Sequence, residues 1–431
     1  MAALKSWSRA EIVAFRVAAI YFVIQVLPLD GRFFGTNWLN PQFHDLFALT
    51  TYMPAFVSAG VWGIESFANW LIALVIAVAG AVLWGFLERE PSEYNVLYYG
   101  LRVLLRYRLA VGLIGYGVLK LFKIQLPEPT LSDLHSSYGD YLPWKIYSLT
   151  TGIGSAYYEQ SIGLVELAAA VLLLFRKTAT IGASIAIFVL TNIVIANFAY
   201  EFGEHVYSAY LLSIALFLLA YDLPRLYNVF VKRQFTRAES FKPAFASNWV
   251  VRAQLAVKIL VAVFLVVYGV KAYAGSDNWP FPAKAGLSNA YGFYNVSEYR
   301  VNQDTIPYSL TDPERWNNVV FEKWNTISIK RNRPARLDLS VPSITERNYE
   351  YAGNASRHFY SYELDTLVGE LTLHARNSAS PDLHFRYARP DSATIVLSGR
   401  NENQDSVRIV LSKINRKYLL NEGRRRPIKI N

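Results

Sequence analysis

The chain has 431 residues, 53% of them hydrophobic, and a formal net charge of +10. It holds no cysteine, which excludes thiol redox relays, disulfide exchange, Fe–S clusters, thiolate zinc sites and S-acylation. The apolar residues gather into runs of roughly 20, the length a helix needs to cross a bilayer, and these stop near residue 273. The positive charge therefore belongs to membrane topology, and no nucleic-acid partner is expected.

Seven spans are expected, at about 12–29, 69–87, 104–123, 159–175, 178–198, 206–221 and 250–273. The opening MAALKSWSRAEIVAF places basic residues before an apolar run and lacks a small-residue cleavage site, so it reads as a first span and not a signal peptide. The third span is weak at its start because of Arg102, Arg106 and Arg108. The stretch ALTTYMPAFVSAGVWG at 48–63 is short and broken by Pro and Gly, and reads as an interfacial or re-entrant segment.

Lys and Arg alternate in abundance between successive connections. They are enriched before the first span, in the connection into the third, at Arg176 and Lys177, and in 222–249. They are sparse in the connections between, and EFGEH after the fifth span has none. The positive-inside rule then puts the N-terminus in the cytoplasm and the C-terminal region outside it, in the periplasm of a multi-pass inner-membrane protein. The helical domain is expected to cover 1–273 and a second domain 274–431.

From about 274 the text turns Asn-, Asp-, Arg- and Tyr-rich with period-two alternation. Ile395 and Leu397, the connection RNENQD, then Val407, Ile409 and Leu411 read as a β-hairpin. Leu371 with Leu373, Leu383 with Phe385 and Tyr387, and Leu337 with Leu339 and Val341 read as further strands. The domain is expected to be a compact antiparallel sheet, sandwich or half-barrel, with one or two short helices near 311–324.

Polar residues inside the spans are the candidate site. A carboxylate in hydrocarbon needs a partner, a proton or water. Glu166 lies about seven residues, or ~10 Å, below the outer edge of the fourth span. Asn192 on the antiparallel fifth span falls at nearly the same depth, with Asn197 closer to the surface. Tyr116 and Lys120 on the third span lie within reach. These five residues are either a structural polar clamp or the lining of a pocket open to the outer leaflet, where Glu166 accepts a proton or a ligand hydroxyl. Arg16 and Lys258 snorkel or pair within the bundle. Glu201, Glu204 and His205 are weak metal candidates; no other metal site is expected. Tyr138, Tyr141, Trp144 and Tyr147 read as an interfacial aromatic belt or a quinone-stacking floor. No Walker loop, dinucleotide fingerprint or Ser/His/Asp triad is visible, and whether the chain is an enzyme stays open.

The stretches YGVLKLFKIQLPEP, SSYGDYLPWKIYSLTTG, YYEQSIGLVELAAAVLLLFRKTATIGA and NFAYEFGEHVYSAYLLSIALFLLAYDLPRL resemble DoxX-like membrane proteins, in the larger forms found in Bacteroidetes. The most recognisable part is G-x-x-E-x-x-x-x-x-L-L-L-x-R on Gly163, Glu166, Leu172, Leu173, Leu174 and Arg176. The resemblance implies a four-helix core over about 105–225, within a membrane all-α bundle of about seven helices followed by the β-rich domain. It also implies an accessory subunit of a redox- or quinone-linked membrane complex, with quinone as the possible cofactor. The alternative is a non-enzymatic anchor or assembly factor whose β domain binds a periplasmic or membrane protein partner; membrane lipids are partners in both.

Overall fold

A computed structural model describes residues 7–28, 50–57, 66–88, 93–153, 156–236, some positions between 249 and 267, 281–337, 339, 348–365, 367–376 and 381–423. The chain divides into two compact units. One comprises Met1–Phe122 and Gln160–Ser276; the other comprises Lys123–Glu159 and Asp277–Asn431. The sequence assigned 123–159 to the helical region; the structure places it with the β-rich one.

In chain order the helices are α1 (Arg9–Val26), α2 (Ala68–Leu87), α3 (Asn95–Leu121), α4 (Leu131–Leu134), α5 (Pro143–Gly152), α6 (Ala156–Leu174), α7 (Ala179–Ala199), α8 (His205–Ala220), α9 (Leu223–Phe230) and α10 (Leu419–Glu422). Among the described residues α2, α6 and α7 are long and apolar enough to cross a membrane. The pair α8 and α9, bent by 66°, makes a fourth span if it crosses as one. This corrects the expected seven-helix bundle. α1 carries Arg9, Glu11 and Arg16, and α3 carries Arg102, Arg106, Arg108 and Lys120. Most of 250–273, including Lys258, lies outside the described residues.

Arg16 on α1 and Arg108 on α3 have dedicated partners. A reciprocal cap fixes the start of α1: Ser8 Oγ accepts from Glu11 N at 3.3 Å, and the Glu11 carboxylate accepts from Ser8 N at 2.9 Å. Arg16 donates to Tyr94 OH at 2.8 Å and to Glu88 at 3.1 Å. Arg108 donates to the carbonyls of Thr50 (3.0 Å) and Tyr52 (2.7 Å) and to Tyr207 OH (3.1 Å). Helical backbone ends at Thr51, so Arg108 supplies donors to a stretch that has left its helix. Phe56 N is likewise bound by Asn69 Oδ1 at 2.8 Å, and the described part of 48–63 is not a spanning helix.

The other unit is an antiparallel meander: β1 (Gly292–Val301), β2 (Asp304–Thr305), β3 (Asn318–Phe321), β4 (Thr326–Lys330), β5 (His358–Asp365), β6 (Glu370–Ala375), β7 (Leu383–Ala388), β8 (Thr394–Arg400) and β9 (Ser406–Ile414). β1 pairs with both β3 and β9, so eight strands close into a barrel and β2 is a short appendage on β1. A bulge between Val296 and Glu298 accommodates the closure. The expected strands at 371–373, 383–387, 395–397 and 407–411 are present, as β6 to β9. Their inward side chains meet Tyr294, Tyr299, Phe321, Ile329 and Tyr360 in one core. Eight strands leave an interior just wide enough for side chains. What remains is a small void lined by Tyr299, Trp316, Phe385 and Ile409 and closed by Arg331 and Glu402.

Two expectations fail here. No helix occupies 311–324: Asp312 Oδ1 accepts from Glu314 N and Arg315 N in a local turn, and the β-branched run that follows becomes β3. Leu337 and Leu339 are not in a strand, and Leu339 is exposed; Val341 lies outside the described residues.

Segment 123–159 packs on the barrel through its own backbone. Leu142 N donates to Gly353 O and Ala355 N to Asp140 O, both at 2.9 Å. Trp144 is fully buried, and Lys145 donates to Tyr349 O. A Cβ on Gly353, whose φ is +71°, would stand 2.8 Å from the Trp144 ring. Trp144 is therefore a core residue of this unit and not part of an interfacial belt, while Tyr138 is exposed.

Candidate functional site

α3 and α6 approach closely where both carry glycine. A Cβ on Gly163 would stand 2.7 Å from Gly117 O, and one on Gly117 would stand 3.1 Å from Gly163 O. Small residues at a crossing let two helix backbones touch. One turn further along each chain stand Lys120 and Glu166. Lys120 Nζ donates to both carboxylate oxygens, at 2.9 and 3.0 Å. The side chains are 8% and 0% exposed. Lys120 Nζ also lies 5.1 Å from the centre of the Tyr116 ring, and Tyr116 OH donates to Glu204 Oε2 at 3.0 Å. α3, α6 and the start of α8 are thus linked by an unbroken run from Glu166 through Lys120 and Tyr116 to Glu204.

Of the five pocket candidates, three are brought together: Glu166, Lys120 and Tyr116. Asn197 is buried but donates to Ser208 Oγ at 2.9 Å, apart from the ion pair. Asn192 is exposed. The buried face of α7 runs through Ala179, Gly182, Ala183, Ala186, Leu190 and Asn197, and a residue two positions past Leu190 points away from it. The expected Glu166–Asn192 contact is therefore corrected to Glu166–Lys120. Of the metal candidates, Glu201 is exposed in a left-handed conformation (φ +54°), whereas Glu204 is buried and accepts from Tyr116 OH. Among the described residues no three His, Cys, Asp or Glu side chains form a metal-ligand group.

A second buried polar cluster lies in the barrel unit. Glu322, at the end of β3, accepts from Ser132 N at 2.7 Å and Ser132 Oγ at 2.6 Å. Ser132 Oγ lies 2.7 Å from Ser328 Oγ. Arg357 donates to Ser328 Oγ (2.7 Å), Ser328 O (2.8 Å), Asn318 Oδ1 (2.7 Å) and His135 O (3.1 Å). His135 stacks on Phe293 at 3.7 Å, and its Nε2 lies 2.6 Å from Tyr418 OH.

Burial raises the Glu322 carboxyl to about 7, and Asp133 and Glu350 push the same way against the Ser132 hydrogen bonds. Burial lowers Arg357 to about 10. Burial, then the charges of Arg357 and Arg416, lower His135 to about 4. No spacing signal marks this cluster, because Ser132 and Glu322 are 190 residues apart. The one local hint is an acid directly after the apolar NVVF.

The chain is similar to the uncharacterized protein YwoB of Bacillus subtilis (strain 168). The two are 32% identical over 126 residues, which is 29% of this chain and 79% of that protein. The chain belongs to the YwoB family. No family model matches the sequence, and no solved structure matches the fold. The YwoB match leaves most of this chain outside it, so the family membership assigns no activity to either buried cluster.

The chemistry available to each cluster is bounded by its hydrogen bonds. Glu166 presents neither oxygen as a free base, since one ammonium holds both. Ser132 is likewise committed to a carboxylate acceptor and is fully buried. Both arrangements join segments distant in sequence, α3 to α6 in one unit and the 123–159 segment to the barrel in the other.

Proposed function

We propose that this chain is a non-enzymatic inner-membrane anchor whose helical unit holds a folded barrel outside the cytoplasm, where the barrel and its 123–159 segment bind a protein partner. The observation that carries the reading is the Lys120–Glu166 pair. The Glu166 carboxylate, fully buried among the apolar helices, has both oxygens on a lysine. A buried ion pair of this kind fixes helix register and leaves no site for a ligand hydroxyl. The quoted motif around Gly163 and Glu166 supports placing the helical core among DoxX-like proteins, and in this chain that motif serves packing. The alternating Lys/Arg pattern supports the cytoplasmic N-terminus.

A second reading has its own support. The run Glu166–Lys120–Tyr116–Glu204 joins titratable groups inside the helical unit, as an accessory subunit of a quinone-linked complex would need. Cross-linking in native membranes, with quinone reduction by the same membranes assayed alongside, separates the two. An anchor keeps its stoichiometric complex when the pair is replaced together by Lys120→Met and Glu166→Leu. A quinone-linked subunit loses function with the charges even though its complex stays intact.

A further inference from the structure

α6 and α7 are both long and apolar enough to cross a membrane. As spans, they put the short turn between them, at 175–178, at a membrane surface. α3 runs antiparallel to α6: Gln160 donates to Leu121 O at 3.1 Å near one end, and Gly117 meets Gly163 further along. Arg106 stands eleven residues before Gly117, and Arg176 thirteen after Gly163. At 1.5 Å per residue both fall about 16–20 Å from the glycine crossing, on the same side of it. Arg106 therefore reaches the level of the turn that carries Arg176.

Tyr99, Arg102 and Arg106 follow one another at spacings of three and four, so they share one face of α3. Arg102 lies against the Tyr221 ring, 3.3 Å from its centre, and Arg176 stands 5.7 Å from the centre of the Tyr99 ring. Arg102 and Arg176 both come close enough to repel the charge of Arg106. Arg106 is 7% exposed. Its Nε and that of Arg102 are buried with no hydrogen-bond partner among the described residues, and neither arginine is in a salt bridge with a described carboxylate. Like charges four apart on a helix oppose its formation, and a buried charge without a partner costs far more. The helical unit gives acceptors to its two other buried arginines: Arg16 has Glu88 and Tyr94, and Arg108 has two carbonyls and Tyr207. Guanidiniums gathered in this way form a site for an oxyanion from outside the chain. A phosphate group fits it, because its tetrahedral oxygens take forked donors from several directions. Phospholipid phosphates also lie where a turn between two spans emerges.

We propose that Arg102, Arg106 and Arg176 bind a phosphate group, which ties α3 to the turn between α6 and α7. The inference goes beyond the anchor reading and does not depend on what the barrel binds. A lipid headgroup and a free anion present the same phosphate chemistry, and the test separates them. The full chain is purified in a neutral detergent and phosphate-free buffer. Its thermal unfolding is then followed with phosphatidylglycerol against phosphatidylcholine, and with inorganic phosphate against chloride at equal ionic strength. The expected result is a melting temperature raised by several degrees with phosphatidylglycerol, with phosphate or with both, because a ligand that binds the folded chain stabilises it. A rise with the lipid alone assigns the site to a headgroup; a rise with inorganic phosphate assigns it to a free anion. Arg106→Gln should abolish the rise. Arg102→Gln should do the same, and serves if Arg106→Gln does not fold. Arg9→Gln, which removes an exposed arginine on α1, should keep the rise in full. No rise with either phosphate source overturns the proposal, as does a rise that Arg106→Gln and Arg102→Gln both retain or that Arg9→Gln loses equally.

Discussion

Removing one partner of the Lys120–Glu166 pair should be far more damaging than removing both. Glu166 is fully buried and Lys120 nearly so, with the ammonium on both carboxylate oxygens. Glu166→Gln leaves a lysine charge among apolar helices with only the Tyr116 ring beside it in the same run. Breaking a buried pair from one side costs about 3–5 kcal/mol, whereas replacing both members with apolar residues of similar volume is near neutral. Lys120→Met alone should therefore lower stability by about as much as Glu166→Gln. The double change Lys120→Met with Glu166→Leu should recover most of the loss of either Lys120→Met or Glu166→Leu alone, giving a coupling on the order of 6 kcal/mol or more. The assay is unfolding of the purified chain in mixed micelles, titrated with denaturing detergent and followed by tryptophan fluorescence. Asn192→Ala is the internal control, since Asn192 is exposed, and it should shift stability by less than about 0.5 kcal/mol. Additive single losses, or an Asn192 effect as large as that of Glu166, would refute the assignment of partners.

The barrel unit should show a pH dependence with opposed components. His135 and His358, each lowered to about 4, take up protons on unfolding below 6.5, so they make stability rise with pH between about 4 and 6.5. Glu322, raised from 4.5 to about 7, works the other way: its contribution is full below 4.5 and is lost as pH rises to 7. Glu322→Gln should thus steepen the rise in stability, by roughly 1.4 kcal/mol per pH unit between pH 5 and 6.5 in thermal melts. Gly353→Ala forces a positive φ on alanine and a Cβ into Trp144; it should loosen 123–159 by about 1–3 kcal/mol, seen as faster proteolysis in that segment. Arg108→Met removes donors to two carbonyls and to Tyr207, and should cost about 3 kcal/mol or more in the same micelle assay. Arg108→Lys should recover only part of that loss, because an ammonium cannot reproduce the fork.

The strands were legible because alternation names the buried face directly, and β6 to β9 fall where Leu371, Leu383, Ile395 and Val407 place them. Barrel closure was not legible, because the pairing of Phe293 with Ile414 and of Val301 with Val407 joins the two ends of the domain and leaves no local mark. The depth of Glu166 could be read from the spans, but its partner could not. α7 is apolar nearly all round, so its periodicity does not tell the lipid side from the packed side, and Asn192 was put on the wrong one. Lys120 was within the candidate set on depth alone; the glycine pair that delivers it to Glu166 becomes meaningful once α3 and α6 are seen to cross. The division at Lys123 and Glu159 was hidden for the same reason, since Ser132 finds Glu322 only in the folded chain.

The most direct test of an anchor without redox chemistry is gentle purification from native membrane, followed by an absorption spectrum and native mass spectrometry of the wild type and Glu166→Gln. An anchor gives a colourless protein carrying lipid, or a stoichiometric protein partner, in both forms. A quinone bound to the wild type and lost with Glu166→Gln would contradict it and make the carboxylate part of a ligand site.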